Sequence, residues 1–143
     1  MFRKPVALVA LVAAVCLIAG PASADANRLT VFGPNFEWAC DFSSSLGPQT
    51  ATGSYAVLQY DQSQNSVGAT TQLRGLAPNT AYEIRLIQGN SDCNTVNGTI
   101  TTNRQGNGTL HVAEPSTSTE AAVFIWDTAH TGPFYESDIF HHA

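Results

Sequence analysis

The chain has 143 residues, with six basic against eleven acidic side chains and a formal net charge of −5. That length fits one domain with a core of its own. The acidic balance argues against nucleic acid and anionic membranes as partners, because both need basic patches.

Residues 1–24 read as a secretory signal. Arg3 and Lys4 form a basic head, and Val6 to Gly20 is uncharged and mostly aliphatic. Ala22-Ser23-Ala24 is a small-x-small cleavage site, which places the cut after Ala24. The apolar run is too short to prefer spanning a bilayer, so no membrane insertion is expected after cleavage. Cys16 raises lipoprotein processing as an alternative, but Val15 is bulky where that processing wants a small residue. The expected product is a secreted or cell-envelope domain, residues 25–143. It keeps four arginines (Arg28, Arg74, Arg85, Arg104), no lysine and all eleven acids.

Two cysteines remain in it, Cys40 and Cys93. In an exported chain such a pair reads as one disulfide. Closing that loop contributes roughly 4 kcal/mol in the chain-entropy model. The spacing matches neither a C-x-x-C redox motif nor a zinc motif.

Asn27 to Gly33 is a first short strand, stopped by Gly33-Pro34. In Phe36 to Phe42, Phe36, Trp38, Cys40 and Phe42 share one face, with Glu37 and Asp41 on the other. Ser43 to Gln49 is a loop. Thr52 to Tyr60 is a strand with Tyr55, Val57 and Gln59 on one face and Ala56, Leu58 and Tyr60 on the other. Ser66 to Leu73 leads into a corner, and Ala81 to Gln88 leaves it.

The corner, QLRGLAPNTAYEIRL from Gln72 to Leu86, is the stretch around which the rest is arranged. Gly75 permits a bend that a side chain resists. Pro78-Asn79 is a turn signal. Tyr82, Ile84 and Leu86 then alternate with Glu83 and Arg85, the period of a half-buried strand. The pattern L-x-G-L-x-P-N-T-x-Y resembles the tyrosine corner of fibronectin type III and immunoglobulin-like domains. The resemblance implies a β-sandwich, with Leu73 and Leu76 as anchors, Pro78 as turn proline and Tyr82 bonding back to nearby backbone. The corner, a later Cys and GTITTNRQGNGTLHV together resemble small secreted bacterial β-sandwich proteins of unassigned function.

Beyond it, Asn97-Gly98 and Asn107-Gly108 are hairpin signals, because a type I′ turn needs positive φ at both central residues. They predict Thr99 to Asn103 and Thr109 to Glu114 as partner strands of one hairpin. Ala121 to Thr128 is the most hydrophobic strand. It is expected to be covered on both faces, partly by the C-terminal segment. Phe134 to Phe140 reads as a last edge strand or an irregular tail.

The short strands, with turn signals about every ten residues, predict an all-β fold. The expected form is a two-sheet antiparallel, immunoglobulin-like Greek-key sandwich, with a small β-barrel as the alternative.

Candidate sites are few. His130, Asp138, His141 and His142 can meet near the end of the chain, where a frayed tail is the simpler reading. Glu37, Asp41, Glu83 and Asp127 are the acids from which a carboxylate pair would be drawn. The serines have no nucleophile-elbow context. Tyr60, Trp126, Phe134 and Tyr135 are the candidates for an exposed aromatic ligand surface. No catalytic residue, cofactor or metal ligand is assigned. The expected function is a non-enzymatic binding or interaction module for an extracellular protein or glycan. The alternative is a small secreted enzyme or metal-binding protein with a superoxide dismutase-like or hydrolase-like site.

Overall fold

The computed structural model describes residues 25–35, 50–89 and 94–143. Cys40, Cys93, Trp38, Glu37 and Asp41 lie outside the described residues, as do residues 1–24.

The fold is all-β. Its strands are β1 (Asp25–Asn35), β2 (Ala51–Asp61), β3 (Ser66–Leu73), β4 (Ala81–Gln88), β5 (Gly98–Thr101), β6 (Gly108–Pro115), β7 (Glu120–Asp127), β8 (Phe134–Ser137) and β9 (Phe140–His141). One hydrogen-bonded path runs β5-β4-β7-β8-β1-β2-β3-β6, and β9 pairs with β7. Every pairing is antiparallel. The two ends of the path, β5 and β6, approach each other, so the sheet is nearly closed. Of the two arrangements drawn from the sequence, this is the small barrel.

Alternation explains which side chains fill it. Val31, Ala56, Leu58, Val67, Ala69, Ile84, Val123 and Ile125 are fully buried in one core. On β2 the face of Ala56 and Leu58 points inward while Tyr55, Val57 and Gln59 point outward. β4 and β7 are buried on their outward faces too, at Arg85, Ile87, Ala122 and Phe124. The hydrophobic run of β7 is therefore covered on both sides. Phe134 stacks on Phe124 at 5.0 Å, and the Trp126 Nε1–H donates to the Gly132 carbonyl at 2.9 Å. The C-terminal segment supplies part of that cover.

Two expectations are corrected. First, β5 and β6 form no hairpin ladder: β5 pairs with β4, and β6 with β3. Neither Asn-Gly pair takes positive φ. The loop between the two strands turns at 103–106 instead, where the Gly106 N–H donates to the Asn103 carbonyl at 3.0 Å, and it is tied to the corner. Second, β8 is an interior strand between β7 and β1, not an edge or a tail. Phe134 at its start is only 3% exposed, and the Ser137 hydroxyl accepts the Val123 N–H at 2.9 Å.

The corner, residues 74–80, crosses the seam where the barrel fails to close, from β3 to β4. Asn79 takes φ +50 within it. The Tyr82 hydroxyl accepts the Ala77 N–H at 3.2 Å. Thr102, 2% exposed, is the hub beneath: its hydroxyl donates to the Ala77 carbonyl at 2.6 Å and accepts the Thr80 N–H at 3.0 Å.

Candidate functional site

Beside the corner is an open groove of about 430 Å³, lined by Gln72, Arg74, Asn103, Asn107 and Thr109 over a floor of Leu73 and Gly108. Local structure fixes each of these. Ser54 accepts the Arg74 N–H at 2.9 Å, so the backbone that carries the guanidinium is pinned from β2. The Gly75 N–H donates to Asn107 Oδ1 at 3.1 Å, and the Leu76 N–H to the Gly106 carbonyl at 3.2 Å. Asn103 Oδ1 accepts the N–H groups of Gln105 and Asn107 at 2.9 and 3.0 Å.

These bonds decide the chemistry of the groove. A backbone N–H can only donate, so the atoms that accept it are the amide oxygens of Asn103 and Asn107. Gln72 Oε1 likewise accepts the Thr109 hydroxyl at 2.8 Å. Three side-chain oxygens are thus engaged internally, while among the described residues the three amide NH₂ groups and the Arg74 guanidinium of the groove lining donate no hydrogen bond within the protein. No Asp or Glu lines it. The groove offers donors and holds no negative charge.

The donor surface continues across the sheet. The Arg28 guanidinium lies 3.7 Å from the Tyr55 ring centroid and that of Arg74 lies 5.5 Å from it. Both separations are within cation–π range. Tyr55 pairs in register with Thr30 and Gln72, and Gln72 pairs with Thr109. Among the described residues no acid forms an ion pair with Arg28 or Arg74.

A second cleft, about 370 Å³, opens at the barrel mouth between Tyr82, Tyr135, Asp127 and the turn at 129–133. The two rings meet edge to face at 6.4 Å. Burial pushes both phenols above their ordinary range, with the nearby Asp127 carboxylate adding to it. The Asp127 carboxylate itself accepts the N–H groups of Thr131 and Gly132, capping the turn. Its polar capacity is largely used within the protein.

The residues singled out in the sequence are placed as follows. Trp126 and Phe134 are brought together edge to face at 6.4 Å, but Phe134 is buried and offers no ligand surface. Tyr135 packs against the core. Tyr60 stacks on His142 at 4.0 Å, apart from the others. These four therefore do not form one contiguous exposed patch, because Phe134 is covered against Phe124 and Trp126 and Tyr60 stands apart.

His130 stacks on Trp126 at 4.2 Å, and its Nε2 lies 2.9 Å from Glu83, which also pairs with Arg85 at 2.6 Å. His141 lies 3.3 Å from Glu120. The three histidines are thus held apart, His130 by Trp126 and Glu83, His141 by Glu120 and His142 by Tyr60. Among the described residues no group of three or more His, Cys, Asp or Glu is placed to hold a metal ion. Glu83 and Asp127 project to opposite faces, since Tyr82 is the register partner of Asp127, and they form no catalytic pair.

Arg28, Tyr55, Arg74, Asn103 and Asn107 were not singled out by sequence reasoning. The usable signal was the scarcity of cations: four arginines and no lysine after residue 24, one of them inside the corner. No family model, no curated protein and no solved structure matches this chain.

Proposed function

We propose that this chain is an exported, non-enzymatic binding module and that the groove beside Arg74 is its recognition site. Export rests on the basic head, apolar run and Ala-x-Ala site of residues 1–24. A mature chain beginning at Asp25, with Cys40 and Cys93 joined, follows from that reading.

The observation that carries the binding assignment is the orientation of the groove amides. Their oxygens are taken up within the protein, by Gly75 of the corner, by the N–H groups of Gln105 and Asn107 and by the Thr109 hydroxyl, and their NH₂ groups, with a guanidinium, are left for a ligand. Such a rigid, donor-lined concavity is pre-organised, so little ordering opposes binding. The mouth cleft lacks this surplus of donors.

The test is an array of glycans and peptides probed with the mature chain and with Arg74→Ala. Arg74-dependent retention of at least one array member is the expected result. If nothing is retained through Arg74, or if the chain turns over an array member without it, the assignment fails.

A further inference from the structure

We infer that the groove and the adjoining Arg28–Tyr55–Arg74 surface bind an extended acidic glycan, a chain of sugars that carries carboxylates. This rests on the binding-module reading above and names the ligand class of that site.

Charge comes first. Among the described residues, Arg28 and Arg74 converge on one tyrosine ring with no acid paired to either, in a chain where acids outnumber basic residues eleven to six. A guanidinium held over a ring keeps its N–H donors in its own plane, directed outward to oxygens. Two such groups, tethered to β1 and to the end of β3, fit carboxylates spaced along one molecule.

Extent comes second. Arg28, Tyr55, Gln72 and Thr109 stand on four adjacent strands, β1-β2-β3-β6. Neighbouring strands lie about 4.8 Å apart, so the surface is roughly 14 Å wide. That is far wider than a single carboxylate or phosphate, so a chain molecule is needed to use it.

Donor balance separates sugar from peptide. An extended peptide brings an N–H for every carbonyl, whereas the oxygens of Asn103, Asn107 and Gln72 already accept two, one and one hydrogen bonds within the protein, which leaves few acceptors for those N–H groups. A sugar hydroxyl rotates to accept. The groove floor also lacks an apolar pocket for a peptide side chain, since Leu73 is 1% exposed.

The experiment is equilibrium binding of the mature chain to three soluble polymers: polygalacturonate, neutral dextran and polyglutamate. The expected result is binding to polygalacturonate alone. Arg74→Ala and, separately, Arg28→Ala should each weaken it about tenfold or more, the loss of one charge-assisted hydrogen bond. Circular dichroism of both variants shows whether they remain folded, and Arg28 lies on a different element from Arg74. Equal binding of dextran overturns the acidic requirement, and equal binding of polyglutamate overturns the sugar. If all three polymers are ignored while another ligand is retained through Arg74, the glycan class is wrong and the binding module stands. If no ligand of any kind depends on Arg74, both fall.

Discussion

Gly106 shows how closely the groove depends on single positions. It sits at φ +76, and a side chain there would run into the backbone of Leu76. Its carbonyl accepts the Leu76 N–H, and its own N–H donates to the Asn103 carbonyl at 3.0 Å. Gly106→Ala therefore combines an unfavourable left-handed conformation with a clash against backbone, which has no rotamer to escape into. The expected loss is about 2 kcal/mol or more in urea denaturation. Gly75 is the control, because its φ is +65 but a Cβ there meets nothing. Gly75→Ala should carry the conformational cost alone, about 1 kcal/mol. Equal losses at both positions would mean that the loop is not docked on the corner. The turn chemistry of Pro78-Asn79 was legible because it acts locally. The role of Asn107 was not, because its oxygen meets Gly75 across a sequence separation of 32. A hairpin signal at Asn107-Gly108 competed with that docking and lost.

At the scale of elements, β8 has an effect out of proportion to its four residues. It pairs with β7 on one side and β1 on the other, and so joins two runs of strands that would otherwise be separate. Phe134 anchors it, 3% exposed, stacked on Phe124 and edge-on to Trp126. Phe134→Ala removes a large buried ring and leaves a cavity, at a cost of about 3–4 kcal/mol. Chemical denaturation reads this directly, and a loss below about 1 kcal/mol would rule out an interior strand. The inward and outward faces of β2 were readable from alternation, since Ala56 and Leu58 against Tyr55 and Val57 is a period-two pattern. β8 was not, because FYES is too short to show a period and follows Gly-Pro, which reads as a chain break.

At the scale of the whole molecule, alternation could not decide between sandwich and barrel. Both put every second side chain inside, and they differ only in whether a strand such as β8 hydrogen-bonds to both halves. That is a non-local pairing which no local pattern encodes. The same nearly closed sheet gives the outward face of β4, β7 and β8 an unusual electrostatic balance. Glu136 stands on β8 across Phe124 from Arg85, with Phe32 as its partner on β1. Burial pushes its carboxyl up to about 7. Glu83, on the same face, is pushed up by burial too, but the hydrogen bonds from Arg85 and His130 outweigh this and hold it below its ordinary 4.5. The two act on opposite sides of one pH. The Glu83 contribution is complete above the ordinary carboxylate value and is lost as pH falls through its lowered folded-state value. Glu136 works the other way. Between about 4.5 and about 7 the folded state holds a proton that the unfolded chain has released, so stability falls as pH rises and then levels off. Together they place the stability maximum of this face near the ordinary carboxylate value, on the acid side of neutral. Glu136→Gln should remove the decline: at pH 8 the variant should exceed the parent by roughly 1–2 kcal/mol, a linkage value reduced for partial exposure to water. At pH 4 the two should coincide within error. Thermal melts across that range decide it, and a variant whose advantage persists unchanged at pH 4 would show that packing, not the proton, is responsible.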